Sequence, residues 1–367
     1  MNYHDALQLL LELIATPSHS TREDQTAALL FDYLQRQGTN PRRKYNNIWV
    51  KNKYFDVELP TILLNSHHDT VKPAGCWIRK PYQGDISDGK VYGLGSNDAG
   101  ASLVSLMAAF LYFYESDDLP FNLIYSATAE EENSGKNGIE SIWYELGKID
   151  VAIVGEPTSM EMVIAEKGLV VLDCIAKGKS GHAARDTGIN AIDIAVQDIG
   201  WLHSFQFPKV SPLLGPVKMT CTVIEAGSLH NIIPDTCKFT VDVRPTDAYT
   251  NEEIVEIIKA NLKSEVIPRS LRLRSSKIST DHPVVLAAQD LGIPCVGSPT
   301  TSDQAVMPVE SVKIGPGDSR RSHTIDEFVY VEEIETGIDT YIRLLEQLIQ
   351  RYRLYKKTIV SLNESRG

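Results

Sequence analysis

A chain of 367 residues is longer than one hydrophobic core usually serves, so two domains are expected. Its 43% hydrophobic and 23% charged residues are those of a globular protein, and a formal charge of −12 argues against nucleic acid or an anionic membrane as partner. Cys76, Cys174, Cys221, Cys237 and Cys295 are odd in number and show no Cys-x-x-Cys spacing, which argues against a thiolate zinc site and for a reducing compartment. Met1-Asn2-Tyr3-His4-Asp5 lacks the pattern of a signal peptide, and no apolar run approaches the roughly 20 residues of a membrane span. Cytoplasmic residence is the resulting expectation.

Residues 5–16 carry helical apolar spacing that Pro17 ends, and Ser20 with Glu23 predicts a capping box ahead of a second helix closed at Gly38. Strands are expected at 47–51 and 61–66, the second running into Ser66-His67-His68-Asp69. Residues 90–95 form an extended approach to Asp98, from which a helix is expected to run through Phe110 and Leu111. The apolar strands 121–127 and 151–154 then deliver Glu130-Glu131-Glu132 and Gly155-Glu156-Pro157. Strands alternating with helices predict an α/β fold, a doubly wound, mostly parallel sheet, whose strand ends are where ligands sit.

Near residue 165 the texture changes. Strands at 169–175, 218–223 and 238–243 with helices at 188–203 and 250–263 predict an inserted α+β domain over 166–275. The first domain, 1–165, resumes at 276–367 and closes with a helix from Val331 to Tyr355; residues 361–367 are expected to fray.

His67, Asp98, Glu132, Glu156 and His323 are the chemistry-bearing residues of these strand ends and glycine-rich approaches. Taken singly, each has a bland reading as a surface acid or a hydrogen-bonded histidine. Ordered together, they form a carboxylate and imidazole set without thiolates, suited to two Zn2+ ions sharing a bridging carboxylate, with Co2+ or Mn2+ as substitutes. Asp69 is placed to orient the His67 imidazole. His68 occupies the neighbouring slot and is expected to point away from the cations.

Ser66-His67-His68-Asp69, Gly93 through Asp98, Thr128 through Glu132, Gly155-Glu156-Pro157-Thr158 and Gly315 through His323 resemble, in order and spacing, the two-zinc aminoacylase and carboxypeptidase family. That family includes acetylornithine deacetylase, succinyl-diaminopimelate desuccinylase and the glutamate carboxypeptidases. The resemblance implies that His67, Asp98 and Glu156 hold one zinc, that Asp98, Glu132 and His323 hold the other, and that Glu131 is the general base. It also implies a cis peptide at Asp98-Ala99. In the inserted domain it implies that His182 polarises the substrate carbonyl in the partner's site of a homodimer, and that Asn231 and Arg244 bind the substrate carboxylate. An arginine fork suits a carboxylate, although Arg244 as a surface residue is equally open.

The activity so implied is deacylation of an N-acyl amino acid, first N-acetylornithine or an N-acylcitrulline, as in arginine biosynthesis. Desuccinylation of succinyl-diaminopimelate is the second reading and dipeptide cleavage the third. A catalytically silent binding protein is the alternative from another class, and the presence of Glu131 with all five donors weighs against it. Nucleotide binding is weak, because no Gly-x-Gly-x-x-Gly follows an early strand.

Overall fold

The computed structural model describes residues 1–185 and 187–364, with side chains described through Leu354. The chain divides into two compact units, Met1–Ile164 with Ile278–Val296 and Met307–Gly367, and Ala165–Lys277 with Gly297–Val306.

In the first unit a mixed sheet runs, in spatial order, Arg42–Lys44, Asn47–Lys51, Asn122–Thr128, Thr61–His67, Val151–Val154, Ser311–Lys313, Met162–Glu166. Thr61–His67 lies parallel to both Asn122–Thr128 and Val151–Val154. All three are buried along their whole length. This is the burial that their continuous apolar character requires when helices cover both faces. Helix Ala101–Phe113, apolar all round, is almost wholly buried, as a helix without a polar stripe must be. It packs against the long closing helix Val331–Glu364, whose Ile334, Tyr341, Leu344, Leu345 and Leu348 face the same core.

The expected first helix is Tyr3–Ile14, with a capping box between Asn2 and Asp5. The second is Asp24–Arg36, and the predicted Ser20/Glu23 capping box does not form. Glu23 itself stands at the cap position without a side-chain cap bond. Its carboxylate instead accepts from the Thr21 N–H and Asn46 Nδ2, while the Ser20 hydroxyl turns to Asp69. The closing helix extends nine residues past the expected end, to Glu364, and residues 365–367 of the segment expected to fray lie outside the described residues.

The second unit is a four-stranded antiparallel sheet in the order Lys218–Ala226, Thr236–Arg244, Val170–Lys177, Glu265–Pro268. Alternate residues of Val170–Lys177 are buried, including Val170, Leu172, Cys174 and Ala176, and helices Ala191–Ser204 and Asn251–Asn261 cover that face. Thr250 and Glu253 form the capping box that starts the second of these helices. The segment Gly297–Val306, inside the span predicted for the first domain, groups with this unit. Buried Glu166 accepts from the Ser302 N–H at 3.1 Å and its hydroxyl at 2.9 Å, and Arg274 N–H donates to the Ala305 carbonyl at 3.0 Å. Its composition of turn residues carried no periodicity that could have announced this.

Candidate metal centre

Sheet register brings three of the acidic or imidazole segments to one edge. In the parallel pairings His67 stands opposite Thr128 and Asn65 opposite Val154, so the residues after each strand emerge side by side. Past Thr128 the chain turns sharply at Glu130, whose φ is +58°. The Glu130 carboxylate accepts from both the backbone and side-chain N–H groups of Asn137, which leaves Glu131 and Glu132 as the acids facing His67.

A different device delivers Asp98. Lys90–Tyr92 pairs antiparallel with Phe328–Tyr330, and Gly93 and Gly95, both at positive φ, turn the chain toward the site. The Asp98-Ala99 peptide is cis, and the helix expected from Asp98 begins at Ala101.

Asp98 lies between the two histidines. Its Oδ1 is 3.2 Å from His67 Nε2 and its Oδ2 is 3.6 Å from His323 Nε2. Glu132 Oε2 is 2.9 Å from His323 Nε2, while Glu156 Oε1 and Glu131 Oε2 are 3.8 and 3.9 Å from His67 Nε2. His67 with Glu131 and Glu156, and His67 with Asp98 and Glu132, each offer donor atoms within 4.8 Å of one another. These clusters share members with the two ligand sets that the family resemblance implies, but they group the acids differently. All five implied ligands and Glu131 therefore meet in one place, in the first unit.

The electrostatics follow from crowding acids around imidazoles. Burial works against protonation of His67, yet Asp69, Asp98, Glu131 and Glu156 outweigh it and raise its pKa well above the usual histidine value. His323 is raised to about 9, chiefly by its hydrogen bond to Glu132. Burial pushes Glu132 up as well, whereas Asp98 is held low against its burial by His67, Ser322 and His323. A divalent cation relieves such a cluster by replacing the imidazole protons and neutralising the acids. The donor set is nitrogen and oxygen only, which fits zinc, cobalt or manganese.

Asp69 does more than the sequence indicates. The His67 Nδ1–H donates to its backbone carbonyl at 3.0 Å, and the carboxylate Oδ1 stands 3.5 Å away. That carboxylate, wholly buried, accepts from Glu131 N–H at 3.0 Å, Glu132 N–H at 3.2 Å and the Ser20 hydroxyl at 2.7 Å. Asp69 thus holds the imidazole with its main chain and the two glutamates with its side chain. His68 points away: Nε2–H donates to the Asn46 carbonyl at 2.8 Å and Nδ1 accepts from Thr26 Oγ1 at 2.9 Å. Burial lowers its pKa to about 4.

Glu327 lies outside every motif of the sequence. It is 1% exposed, and its Oε1 accepts from the N–H groups of Asn97 and Asp98, each at 2.9 Å. Burial, together with Asp98, raises it to about 8. An acid four residues beyond the expected ligand His323 was the available signal, but Glu327 precedes a strand where the others follow one.

The second unit holds His182, Asn231 and Arg244. A short antiparallel ladder sets Gly181 and His182 against Ile233 and Ile232, and Ala183 N–H donates to the Asn231 carbonyl at 3.0 Å, so His182 and Asn231 are brought together. His182 Nδ1 accepts from Ala184 N–H at 3.1 Å, which leaves Nε2 to carry the proton of the neutral ring. Arg244 ends its strand with Nε and Nη2 on the two oxygens of Asp242, at 2.7 and 3.0 Å, and Nη1 3.3 Å from Thr301 Oγ1. One edge of its fork is thereby oriented by an acid of the same strand. Arg320 is paired with Asp318, and Arg321 with Glu333.

A mostly parallel α/β sheet whose strand ends gather imidazoles and carboxylates into a site fit for divalent cations places the chain in the class of α/β proteins with a candidate metal centre at the strand ends. The profile of peptidase family M20/M25/M40 matches residues 63–347, from the strand of His67 to the closing helix, and the chain belongs to that family. It is 26% identical to an acetylornithine deacetylase of Proteus mirabilis over 96% of this chain and 97% of that protein. To a succinyl-diaminopimelate desuccinylase of Cereibacter sphaeroides it is 25% identical, over 93% and 98%. Among solved structures, a tripeptidase from Staphylococcus aureus has the same fold, with a TM-score of 0.77 and 21% identity over 96% of this chain and 99% of that one.

Proposed function

We propose that the chain hydrolyses the amide bond of an N-acyl amino acid with two divalent cations, zinc first among them, and that N-acetylornithine or an N-acylcitrulline is the substrate. The observation that carries this reading is the placement of Asp98, one carboxylate oxygen toward His67 and the other toward His323. His67, Asp98 and Glu156 would hold one cation, and Asp98, Glu132 and His323 the other.

When bound, the cations supply Lewis acidity, polarising the amide carbonyl and lowering the pKa of water from 15.7 toward about 7. Glu131 takes the proton of the attacking water and later delivers it to the leaving amine. Its backbone is fixed for this by Asp69. His182, with its proton on Nε2, is a donor toward the substrate carbonyl, and Asn231 and Arg244 are the groups for the substrate carboxylate. In a homodimer through the inserted unit, His182 would serve the partner's site. The edge strand Lys218–Ala226, with Val223 and Ile224 half exposed, supports such pairing. Five free cysteines support a cytoplasmic, reducing setting.

Desuccinylation is the second reading, supported by a desuccinylase relative as similar as the deacetylase. The test is to incubate the zinc-loaded protein with N-acetylornithine, N-acetylcitrulline, N-succinyl-diaminopimelate and a dipeptide. Acetate release is expected. Succinate or free amino acids from a dipeptide would replace the substrate assignment, and no product from any of them would favour a silent binding protein. Removal of the cations by a chelator is expected to stop turnover, and zinc, cobalt or manganese to restore it.

A further inference from the structure

The residues that face one another across the centre are held by groups outside the donor set, and two of these groups form a closed circuit. Glu327 accepts from the N–H groups of Asn97 and Asp98, and the Gly95 N–H is directed at it too. Its own carbonyl accepts from Gly93 N–H at 3.0 Å. The turn that presents Asp98 therefore points its N–H groups at one buried residue, a concavity of main-chain donors closed by a single carboxyl group. If Glu327 served only to fill space, an apolar side chain would do so without the cost of burying a polar group.

Asn97 works in the opposite direction. Its Nδ2 donates to the Asp318 carbonyl at 3.1 Å and to Ser322 Oγ at 3.2 Å, and its Oδ1 accepts from Asp318 N–H at 3.0 Å. Gly317, at φ +92°, lies so close that a Cβ there would collide with Asn97 Oδ1. The segment so gripped leads directly into His323. A residue four positions after His323 thus fixes Asp98, and the residue before Asp98 fixes the approach to His323.

We propose that Glu327 and Asn97 are positioning residues that brace Asp98 against the His323 segment, Glu327 through the backbone N–H groups of the Asp98 turn and Asn97 through Asp318 and Ser322, so that both act on Asp98 and Asn97 acts on the approach to His323 as well. This rests on the two-cation reading above and adds to it residues that touch neither cation nor substrate. Groups that orient metal ligands from behind typically change metal affinity by about 10–100-fold when altered.

The test is calorimetric titration of the cation-stripped full chain with Zn2+, beside thermal melting, for the native protein, Glu327→Leu, Asn97→Ala and Leu34→Ala. Leu34 is buried near the C-terminal end of Asp24–Arg36, more than two turns along that helix from Thr26, and serves as a destabilised control. In Glu327→Leu the N–H groups of Asn97 and Asp98, which share Oε1, lose their acceptor, so both equivalents should weaken about tenfold or more. Asn97→Ala should weaken both equivalents too, and the one that His323 would hold by more than the other. Leu34→Ala should melt lower and bind as the native chain does. Two equivalents bound by both site variants with native affinity would overturn the brace, as would equal weakening in Leu34→Ala. A native chain that takes up no Zn2+ would remove the parent reading itself, a result distinct from either.

Discussion

Replacing Asp69 by Asn removes one oxygen and changes almost no volume, so its effect isolates hydrogen bonding. Asp69 uses Oδ1 for Glu131 N–H and Oδ2 for both Glu132 N–H and the Ser20 hydroxyl. The Ser20 hydroxyl can turn round and accept from the new amide, but a backbone N–H cannot. In either orientation of the amide, one glutamate N–H in a fully buried setting loses its acceptor, at a cost of about 1–3 kcal/mol. Urea denaturation of the cation-stripped protein should show that loss, and metal affinity should fall about 10–100-fold because the Glu131-Glu132 turn and His67 are no longer held together. Ser20→Ala, which leaves both N–H groups served, should cost only about 0.5–1.5 kcal/mol. The pH dependence has a definite sign. Burial disfavours the Asp69 carboxylate, but His67 and Ser20 outweigh it and hold its pKa below the usual value. The resulting stability is present above the unfolded value and is lost as pH falls through the lower folded one, so Asp69→Asn should flatten that acid limb. Asp69→Asn with native stability and native metal affinity would refute the reasoning.

Glu131→Gln should leave both cations bound, by elemental analysis, while kcat falls by about 10²–10⁴-fold, the usual contribution of a positioned base; native turnover would remove Glu131 from the mechanism. Because Glu132 holds His323 protonated up to about 9, cation binding must displace that proton. Apparent affinity should therefore rise with pH up to about 9, with proton release measurable by titration in buffers of different ionisation enthalpy. His68, buried and held at about 4, binds its proton more readily in the unfolded chain. Stability should therefore fall as pH drops from about 6.5 toward 4, by roughly 3 kcal/mol at most, and His68→Gln should remove that slope in denaturation curves. If the inserted unit pairs through its edge strand, Ile224→Lys should convert a dimer to monomer in sedimentation, and an unchanged mass would exclude that surface.

Strands, the acids that follow them and the change of texture near residue 165 were legible in the chain alone, because apolar runs and their punctuation are local. It also placed His67, Asp98, Glu132, Glu156 and His323 in one candidate set, since each stands where a strand or a glycine-rich turn runs out, while Glu131 came from the family resemblance. What holds that set depended on contacts between segments far apart in the chain. Ser20 and Glu23 matched a capping box by spacing, yet their side chains went to Asp69 and Asn46, partners that exist only once the sheet is assembled. Of three successive glutamates, the turn at Glu130 and its bond to Asn137 decided which face the site. Glu327 carried no local pattern, and its role arises because the strand after it pairs with Lys90–Tyr92 and brings it beneath the turn of Asp98. Gly297–Val306 joined the second unit through the buried carboxylate of Glu166. Periodicity reports which way a side chain faces; which distant backbone N–H needs an acceptor is settled only when burial removes water from the competition.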